Sequence, residues 1–179
     1  EGVQMQHSKV VGGSTAKRVI ACPGSVALVN KMPPQPSSKY ADEGTLLHNV
    51  IAEVLDKFLP AQSFIGMKYQ DIELTQELID DKLLPALAAL DEIDPDKQME
   101  FAVETRVGFG DFLPDVFGST DLLGRLGTKA LVIDWKFGDG VLVTADENPQ
   151  LLFYAAAAMR TPEVQWVFEG ATEIECVIV

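Results

Sequence analysis

Residues 117–140, FGSTDLLGRLGTKALVIDWKFGDG, decide how this chain is read. Two apolar runs, one ending near Leu126 and the other starting near Lys129, flank Gly127-Thr128. A Gly-X pair in that setting predicts a hairpin closed by a two-residue type II′ turn. In such a hairpin, residues equidistant from the turn face each other. Asp121 and Asp134 each stand six positions from it, so they fall directly opposite one another. Side chains alternate along a strand, which sets Lys136 on the face of both aspartates. Opposed Cβ atoms lie about 4.5–5.5 Å apart, near enough for one divalent cation to bridge the carboxylates. Two readings stay open on spacing alone: two unrelated aspartates near a turn, or a metal site. A one-residue slip in register would dissolve the second.

The chain has 179 residues, enough for one domain with a substantial core. Its 47% hydrophobic and 23% charged residues are those of an ordinary soluble globular protein. No signal peptide is expected from these residues, and the longest apolar run, Leu151 to Met159, is too short to span a bilayer. Cys22 and Cys176 are too few for a disulfide scaffold, and the lack of a CxxC pair speaks against zinc. An intracellular setting is the expectation. Both ends look like the boundaries of a fragment.

A net charge of −13 argues against bulk electrostatic binding of nucleic acid. The distribution is uneven, however. Lys9, Lys17, Arg18, Lys31 and Lys39 face only Glu1 in the first forty residues, a local balance of +4, so the remainder carries −17.

Outward from the hairpin, Ser14 is expected to cap a short helix through Ala21, with Cys22-Pro23-Gly24-Ser25 as a break before a second. Residues 33–38, PPQPSS, read as an extended connector. Thr45 to Leu59 has helical periodicity, with Leu47, Val50, Ile51, Val54 and Phe58 on one face and His48 at its edge. An edge histidine is a packed or capping group, or a ligand. A further helix, Thr75 to Leu90, should bend at Pro85 and present Glu77, Asp80 and Asp81 to solvent. Met99 to Val107 alternates as a strand and carries Glu104. Asn148-Pro149-Gln150 has the N-cap and first-turn proline of a helix, on which Gln150 and Tyr154 share a face. Thr172 to Val179 is a last strand. Helix, three strands, helix, strand is an α/β layer arrangement with its acidic site on the second and third strands of the trio.

With His48, Gly118-Ser119-Thr120-Asp121, Asp134-Trp135-Lys136 and Gln150-xxx-Tyr154 in order, the chain resembles the PD-(D/E)XK nuclease superfamily, nearest its RecB-like branch. The stretch from CPGS at 22–25 to YADEGTLLH at 40–48 is similar to a phage and prophage family of RecB-like proteins. The resemblance implies a restriction-endonuclease-like core, with a mixed sheet flanked by helices. It implies one nuclease domain over residues 1–179: a basic segment at 1–40 and a catalytic core at 44–179 cut short at its C-terminus. Asp121 and Asp134 would ligate Mg²⁺ or Mn²⁺, joined by the Trp135 carbonyl and a nitrogen of His48. Lys136 would orient and help deprotonate the attacking water, or stabilise charge on the phosphate. Gln150 and Tyr154 would position the scissile strand, and Glu104 could add a further carboxylate. Lys17, Arg18, Lys31 and Lys39 are the candidate duplex contacts.

The activity implied is metal-dependent hydrolysis of DNA, as an exonuclease of phage recombination, with a phage single-strand annealing protein as partner and a bacterial cytoplasm as setting. No membrane partner is expected, and homo-oligomerisation stays open. Several RecB-like nucleases hold an iron–sulfur cluster with one early and three late cysteines; Cys22 and Cys176 are too few for one. The alternative is a nuclease-like module that grips DNA or protein without cutting. A glycosidase using two carboxylates is a third reading, against which Lys136 stands, because an ammonium suits phosphate better than an oxocarbenium ion.

Overall fold

Glycine and proline set the first turns of the chain. A 3-10 turn, Gly13–Thr15, runs into α1 (Ala16–Ala21), and the Cys22-Pro23-Gly24 break separates it from α2 (Ser25–Val29). The computed structural model describes residues 6–138 and 143–179, so Asp139 and Gly140 of the stretch quoted above lie outside it. Ser14 is not the helix cap. Thr15 holds that position, and its hydroxyl accepts the Gly12 N–H at 2.9 Å.

α3 (Lys39–Lys57) starts at Ser38, whose hydroxyl accepts the Ala41 N–H at 3.2 Å. Its start lies six residues before Thr45, because a cap, not the apolar stripe, begins a helix. β1 (Lys68–Tyr69) and β2 (Ile72–Glu73) form a small antiparallel ribbon that the residue pattern did not announce. Then come α4 (Gln76–Leu78), a π-helical turn at Ile79–Leu83, and α5 (Leu84–Ile93). Helical structure thus spans the expected segment and three residues more. A proline ring collides with the carbonyl four residues back, and the wider π turn falls directly before Pro85.

β3 (Glu100–Gly108), β4 (Phe117–Leu126) and β5 (Lys129–Asp134) follow, then α6 (Pro149–Ala158) and β6 (Glu173–Ile178). Leu126 pairs with Lys129 and Leu122 with Ile133, which is the register expected from the turn. Gly127 has φ 61° while Thr128 has no positive φ, as a type II′ turn requires. α6 opens as expected, with the Asn148 side chain accepting from the Gln150 and Leu151 amides.

By contacts the chain divides into two compact units. One comprises Glu1–Pro34, Glu100–Asp134 and Thr144–Val177. Its sheet has the order β3-β4-β5-β6, with β3, β4 and β5 successively antiparallel. β6 starts beside the start of β5: the Thr172 N–H donates to the Thr128 carbonyl, and Lys129 reaches Glu175 at 2.6 Å. The sheet is therefore mixed. β5 is buried from Ala130 to Asp134, as suits a central strand. α6 packs on β3, β4 and β5, and its small residues Ala155, Ala157 and Ala158 are buried with Leu151. The other unit comprises Gln35–Met99, Trp135–Val143 and Ile178–Val179. Within it α3 packs on the β1–β2 ribbon and the π turn, burying Leu47, Val50, Ile51 and Val54. Asp94 is buried there and accepts the Gln98 and Met99 amides at 2.8 and 2.9 Å, closing the loop after α5. Among the described residues no helix is long and apolar enough to cross a membrane.

One close approach in the first unit demands glycine. A Cβ on Gly13 would stand 2.3 Å from Cζ of the buried Tyr154, whereas one on Gly24 would meet nothing within 4 Å. Gly13→Ala should therefore cost about 1–3 kcal/mol through overpacking. Gly24→Ala, at helical φ and ψ, should be neutral to within about 0.5 kcal/mol. Urea melts of the two variants check this; equal midpoints would show that the Tyr154 ring shifts without cost.

Candidate metal centre

The centre is built on strands β3, β4 and β5 of the first unit. Leu122 pairs with Ile133, the last pair of that ladder, and Asp121 and Asp134 are the next residue along each strand. Across β4's other edge, Val103 pairs with Leu122 and Thr105 with Thr120, which sets Glu104 level with Asp121. Glu104, Asp121 and Asp134 thus form one row across three strands. The β3–β4 ladder is interrupted at Glu104, and Glu104 has φ 47°. The register is the same on either side, so this is a local kink and not a slip. A non-glycine residue in that region costs about 1–3 kcal/mol and marks a constraint from the surroundings.

Glu104 and Asp121 offer carboxylate oxygens within 4.8 Å of each other, a gap one cation can span. The Ser119 hydroxyl donates to Glu104 at 3.5 Å, from the same face of β4 as Asp121. Asp134 is only 3% exposed, and a buried carboxylate is costly without a compensating charge. An all-oxygen row of this kind suits a hard divalent cation such as Mg²⁺ or Mn²⁺.

Gln150 and Tyr154 meet as their spacing predicts: the Gln150 amide donates to the Tyr154 hydroxyl at 3.2 Å. Tyr154 is buried, and its phenol is held well above the ordinary pKa. Burial is the main cause, reinforced by the negative charges of Asp134, Asp121 and Glu104, while the Gln150 amide pulls the other way. The phenol thus stays neutral near three carboxylates. Gly118 lets the ring approach β4, since a Cβ there would lie 3.1 Å from Tyr154 Cε1 and 3.2 Å from the Gly13 nitrogen. Gly13 escaped the sequence reading. Its signal was the Gly12-Gly13 pair ahead of Ser14-Thr15, a close-approach pattern without periodicity.

The remaining candidates are distributed between the units. His48 and the segment starting at Trp135 belong to the second, where His48 is half-buried and meets the Phe137 ring edge-on at 5.3 Å. Trp135 is buried, and Lys136 is exposed, with its backbone N–H donating to the Val179 carbonyl at 2.7 Å. Lys17 and Arg18 lie on α1 and Lys31 follows α2, all in the first unit, while Lys39 opens α3 in the second; all four are exposed. Cys22 is exposed, and burial raises the pKa of the half-buried Cys176 thiol.

The raised phenol pKa sets a pH dependence. An unfolded tyrosine titrates near 10, so the stability carried by neutral Tyr154 is complete below that pH. It is lost as pH rises from there toward the folded value, because only the unfolded chain releases the proton. Thermal melts of the wild type and Tyr154→Phe at about pH 8 and about pH 11 test this linkage. The wild type should lose more Tm than Tyr154→Phe; equal losses would mean that the phenol titrates normally.

Residues 7–178 match a family described as a protein of unknown function, DUF2800. That match spans every element from α1 to β6, including both aspartates and the Gln150–Tyr154 pair. The chain belongs to the DUF2800 family.

Proposed function

We propose that this protein is a metal-dependent deoxyribonuclease of the PD-(D/E)XK superfamily, of the RecB-like branch, acting as an exonuclease in phage recombination or repair. The single observation that carries the reading is the row of Glu104, Asp121 and Asp134 with the Gln150–Tyr154 pair against it. In this reading Asp121, Asp134 and Glu104 hold Mg²⁺ or Mn²⁺, and the resemblance adds His48 and the Trp135 carbonyl. The bound ion would supply Lewis-acid polarisation of the phosphodiester and a lowered pKa for an attacking water.

The chain's own groups do the rest. Lys136 carries an exposed ammonium and orients the water or stabilises phosphate charge. Tyr154 keeps its proton, so its hydroxyl can donate to a phosphate oxygen where a phenolate would repel it. Gln150 fixes that hydroxyl by donating to it. DNA is the substrate, with Lys17, Arg18, Lys31 and Lys39 as further duplex contacts and a single-strand annealing protein as the partner. The bacterial cytoplasm is the setting that fits this role.

Degradation of linear duplex DNA with Mg²⁺, and its loss in EDTA, is the direct test. Millimolar Mg²⁺ or Mn²⁺ should also raise Tm, because a ligand that binds only the folded state stabilises it. Asp134→Asn should abolish cleavage while leaving the metal-free fold as stable as before, or more so. Lys136→Ala should slow cleavage strongly yet retain the metal-induced rise in Tm. Unchanged melting with metal, together with an active Asp134→Asn protein, would sink the proposal. DNA binding without cleavage would favour a module that grips its target and does not cut.

The N-terminal cations have their own test in duplex binding measured with Ca²⁺ across a salt titration. Lys17→Gln with Arg18→Gln should flatten the log–log slope by roughly 0.9 per lost phosphate contact. An unaltered slope would remove α1 from the duplex path.

A further inference from the structure

In an acidic protein cations are expected to pair with carboxylates, and four lysines after residue 40 do so. Lys57 pairs with Glu53, Lys68 with Glu73 at 3.5 Å, Lys97 with Asp91, and Lys129 with Glu175. Arg125 is consumed differently, donating to the Gly127, Val167 and Glu169 carbonyls at 2.6–2.9 Å. Arg106 and Arg160 are held in a third way. Both are exposed, and among the described residues neither side chain makes a hydrogen bond or an ion pair. Each instead lies over an aromatic ring. The Arg106 guanidinium carbon is 3.9 Å from the Phe117 ring centre, and that of Arg160 is 5.4 Å from the Phe112 ring centre. A guanidinium over a ring is attracted by the ring's negative face and spends no N–H on a carboxylate there.

The two arginines line the same groove of the first unit, about 620 Å³ in volume. Gly108, Phe117, Thr161 and Glu163 contribute to its walls, and so does Glu104, the kinked residue of the acidic row. The walls are ordered from within. The Gly108 N–H donates to the Thr161 hydroxyl at 3.1 Å, tying the end of β3 to the turn after α6. A volume of this size accommodates a small-molecule ligand or one nucleotide.

We propose that this groove carries a single nucleic-acid strand away from the carboxylate row, with Arg106 and Arg160 gripping successive phosphates. This deepens the nuclease reading and rests on it for the identity of the anion. Planar guanidinium forks match phosphate oxygens two at a time, which a lysine ammonium does not. Arginine donors beside aromatic rings are also how proteins hold single strands without reading sequence, and here the two arginines balance Glu104 and Glu163 of the same walls. No residue of α1 lines the groove, so it would add a strand path to the duplex contacts proposed for that helix.

The experiment is fluorescence anisotropy of a labelled oligothymidylate with the full chain in EDTA, so that no cleavage intervenes. Arg106→Gln with Arg160→Gln should weaken binding by about tenfold for each lost charge-assisted contact. The salt slope should flatten by about 0.7 per lost contact on a single strand. Arg106→Lys with Arg160→Lys should recover the slope but only part of the affinity, because the charge returns without the fork. Wild-type affinity and slope in the Gln variant would overturn the groove as the strand path. Competition by polyglutamate as effective as by the oligonucleotide would also overturn it, in favour of an acidic peptide. The nuclease reading fails separately. Absence of Mg²⁺-dependent cleavage with impaired strand binding in the Gln variant would overturn that reading and keep the groove. Cleavage with unimpaired binding would do the reverse.

Discussion

Three carboxylates in one row across a sheet are an electrostatic liability, and the two-residue turn at Gly127-Thr128 makes part of it unavoidable. Once Leu126 faces Lys129, the register brings Asp121 and Asp134 to the same end of the β4–β5 ladder, one residue beyond its last pair. Opposed like charges in a sheet cost about 0.2–1 kcal/mol per pair, and the kink at Glu104 adds about 1–3 kcal/mol. Burial on the same strands opposes that cost. Leu122, Leu123, Leu131 and Ile133 are fully buried, and each such side chain contributes about 1.5–3 kcal/mol. The apolar residues of the hairpin therefore hold together a polar row that would not assemble by itself. Stability thus comes from one set of residues and charge from another, as the proposed site would require.

What could be read in advance followed from how local each signal was. The hairpin, its turn type and its register were all legible, because a Gly-X pair acts over a few residues and strand alternation does the rest. The α6 start was legible for the same reason, through Asn148 and Pro149. The start of α3 was not, since residues 39–45 carry no apolar stripe and the deciding group is the Ser38 hydroxyl. At Pro85 the disturbance was foreseen but not its form: a π turn absorbs the ring where a bend was expected. Glu104 was placed on a strand, yet its left-handed backbone could not be inferred from alternation. Gly13 and the two stacked arginines depend on segments that meet only in the folded chain.

The charge distribution also gains physical sense. A net charge of −13 repels a polyanion at long range, and screening confines that repulsion to about 8–10 Å in physiological salt. Within that distance local charge matters more than the total. Internal ion pairs neutralise much of the positive charge after residue 40, while Arg106 and Arg160 are left facing solvent. A carboxylate row beside such a groove would repel a phosphate strand, whereas a divalent ion on that row turns the same place into an attractive end point. In the proposed function, metal binding and strand binding would thereby be coupled through one set of charges.

Tyr154 shows why the packing around the row has to be so close. Its ring lies over Gly118 and against Gly13, and a Cβ at either position would crowd it. A longer side chain in either place would lift the hydroxyl away from the carboxylates, so glycine here sets the depth to which the phenol can reach. At that depth burial and three negative charges hold the proton on, and the Gln150 amide offsets only part of their effect. A histidine or lysine placed there would carry positive charge toward the row and so compete with the cation proposed for the same carboxylates. A phenol does neither. Among side chains that can donate a hydrogen bond in such a field, tyrosine combines a neutral donor with the reach and apolar bulk needed to pack on the sheet. The two glycines are therefore part of the site's chemistry although neither carries a functional group.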